Sequence, residues 1–451
     1  MRILLVNPPV PFFYYNREYY VPTSLLYLGA VLENNGEEVR ILDIKVAQNN
    51  TPSDSLEFYE KILTESVSNF QPNLVGLGCL FSGDFPNVRR FSDVVKRYSK
   101  DIPVVVGGIH PTIYPHEILS NCSSIDWIIL GEGERSIVQL VENLKNDCRK
   151  WDEIDGFAYR QNGEIKETPK RHYIENLDEI PFPAYNLIDL KDYYVDTSKW
   201  HNPKNLPINM SIPIIASRSC PNRCSFCSMY KAMGPKWRAR SPENVVAEIE
   251  YLYNKYDHHH FSFMDDNLTF KKEHILGMCG LIKEKGLDIQ FETPNGLSMK
   301  TLDEEVLDAL VSTGLVRVSF AIESGSDFIR NKVMKKHLSR EKIREIINIT
   351  KKYSGLYVKA FFIIGVPEET KETLEETYNM IKEIDVDRIY LHNIVPYPGT
   401  EIFEQALRDD LLINIDPKTL YNSDSVYLSI YNRFFIKPYK LSVVDLSEFR
   451  K

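Results

Sequence analysis

Cysteine is scarce in this chain, 7 in 451 residues. The thiols are unevenly spread and odd in number, which excludes a disulfide framework and leaves metal or cluster chemistry as the live question. Basic residues are outnumbered: 54 Lys and Arg against 63 Asp and Glu leave a net charge of −9, which speaks against nucleic acid as the main partner. No apolar run approaches the roughly 18 residues of a membrane span. The opening Met1-Arg2-Ile3-Leu4-Leu5-Val6-Asn7-Pro8 is too short and strand-like for a signal peptide, so a cytoplasmic protein is expected. No Gly-x-Gly-x-x-Gly follows the first apolar run, which disfavours a nicotinamide dinucleotide site. What remains is an ordinary globular composition, 43% hydrophobic and 26% charged, in a chain long enough for two domains or more at roughly 150 residues each.

Through residues 1–150 short apolar runs alternate with longer segments of helical period. The runs are Ile3 to Val6, Val39 to Ile44, Leu74 to Leu77, Val104 to Val106 and Trp127 to Leu130. Helical spacing follows from about Thr23 and near Leu56 to Val67, Phe91 to Tyr98 and Ser136 to Leu144. This alternation predicts an α/β unit, a doubly wound, Rossmann-like parallel sheet whose ligands sit beyond the carboxyl ends of its strands. The loops there are rich in glycine and small polar residues: Cys79 to Gly83, Gly107-Gly108-Ile109-His110-Pro111-Thr112 and Gly131-Glu132-Gly133-Glu134. Such loops serve equally as tight turns or as a cradle for a flat or phosphorylated ligand.

Residues 151–210 lose this rhythm and read as a linker. It opens with a hairpin around Asn162-Gly163 and continues through a proline- and tyrosine-rich passage suited to packing between domains. The rhythm resumes at Ile212, and directly after that run stands Ser217-Arg218-Ser219-Cys220-Pro221-Asn222-Arg223-Cys224-Ser225-Phe226-Cys227. Three soft thiolate ligands within eight residues can converge on one iron–sulfur cage and leave one iron open. A zinc site completed by histidine is the alternative, although tetrahedral zinc sites usually build on paired Cys-x-x-Cys knuckles.

At these residues the sequence resembles the radical S-adenosylmethionine (radical SAM) superfamily, whose Cys-x-x-x-Cys-x-Φ-Cys loop matches Cys220, Cys224, Phe226 and Cys227. The resemblance implies a [4Fe-4S] cluster on the three cysteines, with S-adenosylmethionine at the open iron. It also implies a partial (β/α)6 TIM-type barrel over 211–408, with further strands near Phe261, Ile289, Arg317, Val358 and Arg388. Carried over residue by residue, Asp265 and Asp266 stand where the family holds the amino end of S-adenosylmethionine, though the commoner Gly-Gly-Glu is absent. Glu323 and Ser324 stand where it contacts the ribose or methionine part, and Ile364 and Gly365 where it packs on adenine; Phe226 belongs to the same site.

The first half resembles the cobalamin-binding domain that precedes the barrel in one branch of that superfamily. This assigns Asn7, Pro8, Ser82, Gly107, Gly108, His110, Thr112, Gly131 and Glu132 to cobalamin. No Asp-x-His-x-x-Gly follows the first strand, which implies binding without a histidine ligand to cobalt. The two halves should face each other across the linker, leaving 409–451 as a carboxyl-terminal extension. The implied enzyme is a class B methyltransferase that alkylates an unactivated carbon of a small-molecule, lipid or peptide substrate, fed by an electron donor such as flavodoxin or ferredoxin. The alternatives are radical cyclisation or rearrangement, or a non-catalytic cobalamin or redox sensor. Methylthiotransferases differ by three further cluster cysteines in the first domain, whereas Cys79, Cys122 and Cys148 stand alone here; Cys122, Cys148 and Cys279 read as buried thiols. His258-His259-His260 reads as a solvated turn, and the basic run Asn331 to His337 as a solvated face.

Overall fold

The computed structural model describes residues 1–9, 21–50, 55–194, 210–417 and 433–451. The first half forms the expected doubly wound sheet. Strands β1 (Arg2–Asn7), β2 (Glu38–Asp43), β3 (Leu74–Gly78), β4 (Val104–Gly107) and β5 (Trp127–Ile129) are parallel. Helices lie on both faces: Leu56–Phe70 and Phe85–Tyr98 on one, Thr23–Asn34 and Glu134–Lys145 on the other. A strand covered on both sides has no solvent-facing position, which is why Ile3, Leu4, Leu5 and Val6, each at most 1% exposed, are apolar without alternation. The hairpin β6 (Phe157–Gln161) and β7 (Glu164–Thr168) forms as expected, with positive φ at both turn residues, Asn162 (53°) and Gly163 (81°). It extends the same sheet, so the order is β2-β1-β3-β4-β5-β6-β7. The order in which strands are added reverses between β1 and β3, and the loops leaving those two parallel strands flank the crevice where such sheets take ligands.

The second half is a six-stranded parallel sheet of β8 (Ile212–Ile214), β11 (His260–Phe263), β12 (Gln290–Leu297), β13 (Leu315–Glu323), β14 (Tyr357–Ile364) and β15 (Arg388–Asn393). A small antiparallel ribbon, β9 (Ser217–Arg218) and β10 (Arg238–Ala239), stands between β8 and β11 in the chain. Neighbours in the sheet are neighbours in sequence, and β8 and β15 are its two edges, so the barrel is partial. Along β13 and β14 the residues Val318, Phe320, Ile322, Val358, Ala360 and Phe362 pack in one hydrophobic core with the surrounding helices. Arg317, Ser319 and Glu323 alternate with them toward the barrel interior. Helices Pro242–Tyr256, Glu304–Ser312, Arg340–Thr350 and Lys371–Glu383 each start on a side-chain cap, from Ser241, Asp303, Ser339 and Thr370, so the turns out of the strands are locally specified.

The connecting segment packs on both halves. Tyr185 is buried in the barrel core and its hydroxyl donates to Glu248 (2.6 Å), while the Tyr193 hydroxyl donates to Asp43 at the end of β2 (2.8 Å). Beyond β15, helix Glu401–Arg408 and helix Val443–Arg450 fold back on the barrel, joined by a bridge between Leu412 and Ile436. Among the described residues no helix is long and apolar enough to cross a membrane.

Candidate active site

The ribbon strand β9 leads into the cysteine loop through Ser219, whose φ of +69° is a left-handed conformation that a non-glycine residue adopts at a cost. Contacts on every side hold it there. Ser219 Oγ donates to the Gly234 carbonyl, and its amide donates to Asp266 Oδ2 (3.2 Å). Further along, the Ser225 amide donates to the Met334 carbonyl (3.1 Å) and the Ile402 amide donates to the Ser225 carbonyl (3.1 Å). Cys220, Cys224 and Cys227 are all partly accessible. Burial pushes the Cys227 thiol up to about 12, with Cys224, Asp266 and Cys220 adding to the rise. Cys224 is raised by burial too, and Lys336 opposes the rise. The three sulfurs thus share one electrostatic neighbourhood. Among the described residues no three His, Cys, Asp or Glu side chains close around a single ion. Three soft donors on a loop without a fourth thiol suit a cage larger than an ion with one position open.

The other strand ends of the barrel converge on the same region. After β11, Asn267 donates from Nδ2 to Cys220 Sγ (3.5 Å), while its Oδ1 is buried without a hydrogen-bond partner. Asp265 is engaged within the turn. Its oxygens accept the Ser217 hydroxyl and the Ala216 amide, so it shapes the turn into the ribbon. Asp266, raised to about 6 by burial, sits closer to the thiols. Glu323, at φ +73°, accepts from Lys336 (2.7 Å). Burial alone would lower the Lys336 ammonium; Glu323 and then Cys224 outweigh it and hold it above its usual value. The basic run is therefore not a solvated face at this position: Lys336 is turned inward beside the cysteine loop. Ser324 is committed to Thr377 and to the Ser326 amide. Phe226 packs beside Ile329, Met334 and Ile402. Ile364 is buried with Leu374, Phe434 and Leu446, and the Gly365 amide is taken by Glu369. These last two positions pack against the carboxyl-terminal extension.

In the first unit the loops at the strand ends form a continuous wall. Asn7 Nδ2 donates to Asp43 (3.0 Å), and Pro8 is buried behind it. Ser82 Oγ and His110 Nδ1 are 2.9 Å apart, and the His110 ring packs between Phe85 and Tyr114. Gly108 has φ +124°, and a Cβ there would lie 2.0 Å from the Cys79 carbonyl oxygen, so only glycine lets the loops after β3 and β4 meet. Gly107 ends β4. Thr112 Oγ1 donates to the Gly108 carbonyl (2.7 Å) and accepts from the Gly131 amide (3.0 Å). Glu132 is not available to a ligand: its carboxylate accepts from Arg218, Arg238 and the Ile174 amide.

These walls face each other, as expected. Helix Ile109–Ile113 packs on helix Met229–Met233, which starts two residues after Cys227. A Cβ on Gly131 would lie 2.9 Å from the Ala232 carbonyl oxygen, and one on Gly399 would lie 3.6 Å from Ile113. Buried charges cross the interface: Arg218 to Glu132 (3.1 Å) and to Glu134, and Arg238 to Glu132 (2.8 Å). Burial pushes Glu134 up, and Arg218 overrides this to hold it below the usual carboxylate range.

Sequence reasoning missed Arg218, Arg238, Asn267 and Lys336. Arg218, two residues before Cys220, and Asn267, directly after Asp265-Asp266, stood in segments already singled out for the site. Two other expectations fail: Cys148 is exposed, whereas Cys79, Cys122 and Cys279 are buried, and His258 is buried, its pKa lowered to about 4 by that burial.

A doubly wound sheet packs against a partial βα barrel, with a three-cysteine loop leading into the helix at their junction. The comparisons agree. Residues 214–381 match the radical SAM superfamily, and residues 17–141 match the B12 binding domain. An uncharacterized methyltransferase of Pyrococcus horikoshii is 31% identical over 90% of this chain and 82% of its own length. The cytidylyl-2-hydroxyethylphosphonate methyltransferase of Streptomyces wedmorensis is 28% identical over 96% of this chain and 85% of its own. The anaerobic magnesium-protoporphyrin IX monomethyl ester cyclase of Rubrivivax gelatinosus is 27% identical over 85% and 66%. The fold is shared with TsrM of Kitasatospora setae, a radical S-adenosylmethionine methyltransferase solved with cobalamin and a [4Fe-4S] cluster (TM-score 0.72, 18% identity, 92% of this chain and 76% of that one). The chain belongs to the radical SAM superfamily, in the branch whose barrel follows a B12-binding domain, and it is a radical SAM enzyme.

Proposed function

We propose that the protein is a cobalamin-dependent radical SAM methyltransferase that alkylates an unactivated carbon. One observation carries the reading: the ligand loops of the first sheet and the cysteine loop face each other across one packed interface, through Ile109–Ile113 and Met229–Met233. A substrate between them touches both sites. Cys220, Cys224 and Cys227 hold a [4Fe-4S] cluster. Asn267, Asp266, Glu323 and Lys336 surround its open side, where the buried acceptor Asn267 Oδ1 suits an ammonium donor and Lys336 suits a carboxylate. The walls from Ser82, Gly107, Gly108, Thr112 and Gly131 hold the corrinoid. His110 is 1% exposed, with Nδ1 beside Ser82, so its ring shapes the wall. When bound, the cluster supplies the electron for reductive cleavage of S-adenosylmethionine, and the corrinoid supplies a methyl carrier. The chain's part is to align the two, exclude water and fix the substrate carbon between them.

The test is product analysis of the anaerobically reconstituted protein with substrate and added cobalamin. S-adenosylhomocysteine and 5′-deoxyadenosine should form together in about equal amounts. Deoxyadenosine alone would favour radical cyclisation, the second reading, which the similarity to the magnesium-protoporphyrin cyclase supports. No cleavage at all would point to a sensor. Replacing all three loop cysteines by alanine should abolish iron and labile sulfide, whereas replacing Cys79, Cys122, Cys148 or Cys279 singly should not.

A further inference from the structure

The interface charges do more than join two domains. Glu132, Glu134, Arg218 and Arg238 are all more than nine-tenths buried. Two carboxylates meet two guanidiniums, so removing one partner strands a charge in a medium that cannot solvate it. Arg238 and Glu132 are also anchored beyond the pairs. Arg238 donates to the Ile174 carbonyl (2.7 Å) and the Met233 carbonyl (2.7 Å), and the Ile174 amide donates to Glu132 (2.9 Å).

These groups complete an unbroken path. From the first wall, the Gly108 carbonyl binds Thr112 Oγ1 (2.7 Å), which accepts the Gly131 amide (3.0 Å). Gly131 is followed by Glu132, which binds Arg218 (3.1 Å). Arg218 is followed by Ser219, the residue at φ +69°, and Ser219 by Cys220. A left-handed serine persists only where its surroundings over-determine it. Here the arginine fixed by the first unit supplies one side of that constraint, and Asp266 and Gly234 supply the other.

We infer that Arg218, Arg238, Glu132 and Glu134 are positioning residues that couple the two cofactor sites, so that occupancy of the first unit's ligand wall raises retention of the cluster and the reverse. The inference rests on the reading that the first unit binds a corrinoid and the cysteine loop a cluster. Coupling of this kind is reciprocal, and its usual span is about fivefold to 150-fold in affinity.

The experiment is a thermodynamic cycle on the full-length protein, with aquacobalamin as the probe. Its dissociation constant is measured by visible absorbance with the cluster loaded and after anaerobic chelator stripping. The rate of cluster loss to chelator is measured with and without aquacobalamin. Wild type should bind aquacobalamin at least about fivefold more tightly when loaded, and should lose its cluster more slowly when aquacobalamin is present. In Arg218→Gln/Glu134→Gln, which removes one charge of each sign, the ratio should fall toward one. Glu134→Gln alone, which keeps the shape and weakens the pair, should lie between and covers misfolding of the double variant. A wild-type ratio within about twofold of one, below the usual span of coupling, or a ratio preserved in both variants, overturns the inference. Wild type that binds no aquacobalamin in either state, or holds no iron and sulfide, fails differently: it removes the proposed function itself.

Discussion

Gly108→Ala is the sharpest probe of the first unit's ligand wall. The residue sits at φ +124°, and the new Cβ would lie 2.0 Å from the Cys79 carbonyl oxygen and 2.6 Å from its carbon. Neither neighbour is the end of a flexible side chain, so main chain must retreat by roughly 1 Å or more to restore ordinary contact. The retreat strains the hydrogen bond from the Cys79 amide to the Gly107 carbonyl (2.8 Å), which ties the ends of β3 and β4 together. Backbone strain of about 1–3 kcal/mol and a weakened bond of about 1 kcal/mol sum to about 2–4 kcal/mol. In a folding unit of this size that corresponds to a loss of roughly 4–16 °C in melting temperature. Calorimetry of the full chain should show the transition of the first unit falling by that amount. Aquacobalamin affinity should fall with it, because Thr112 is hydrogen-bonded to the Gly108 carbonyl and moves with it. A variant that melts within about 1 °C of wild type, well inside the range just derived, and binds aquacobalamin equally well would refute this account of the wall.

Three further outcomes are expected. Tyr185→Phe removes the hydroxyl that the linker donates to buried Glu248 and should cost about 1–3 kcal/mol in urea unfolding; an unchanged midpoint would show that this bond does not tie the linker to the barrel. Burial raises Glu369 from 4.5 to about 7, so the native state keeps a proton that the unfolded chain releases as pH rises. Its contribution is intact below about pH 4.5 and lost as pH climbs through about 7, so Glu369→Gln should gain on wild type across that window, by on the order of 3 kcal/mol; a constant difference from pH 5 to 8 would contradict it. Lys336→Met removes the buried ammonium beside Cys224 and Cys227 and should shift the cluster's midpoint potential to more negative values, since a nearby cation favours the more negative, reduced form. Redox titration followed by electron paramagnetic resonance reads this directly, and an unchanged or raised midpoint would sink it.

The βα rhythm was legible in the first half because its sheet is covered by helices on both faces, so strands such as Ile3 to Val6 read as apolar runs; in the barrel, where Arg317, Ser319 and Glu323 alternate with Val318, Phe320 and Ile322 along β13, it was legible from the alternation of strands with helical segments. The cysteine loop was legible because its ligands lie within one loop. The interface was not. Arg218 and Glu132 are 86 residues apart and Arg238 and Glu132 are 106 apart, and neither spacing has a period that a sequence displays. Lys336 was hidden for another reason: it lies among Lys332, Lys335 and His337, and a run of like charges reads as solvated. The short π-helix over Phe328–Val333 and the positive φ at Lys335 turn one of them inward. Glu132 shows the limit of reading glycine-rich loops at strand ends as ligand loops: its carboxylate is engaged by the arginines of the other domain, which no local pattern announces.

The hydrogen bond from the Ile402 amide to the Ser225 carbonyl also orders events in time. Ser225 lies between two cluster cysteines, and its support arrives from a residue 177 positions later in the chain (402 − 225). Helix Glu401–Arg408 in turn rests on Ile436, near the far end of the sequence. A nascent chain that has already folded its first sheet still holds an unsupported cysteine loop. The cysteine loop therefore gains its full set of backbone supports only once the chain through residue 402 is in place.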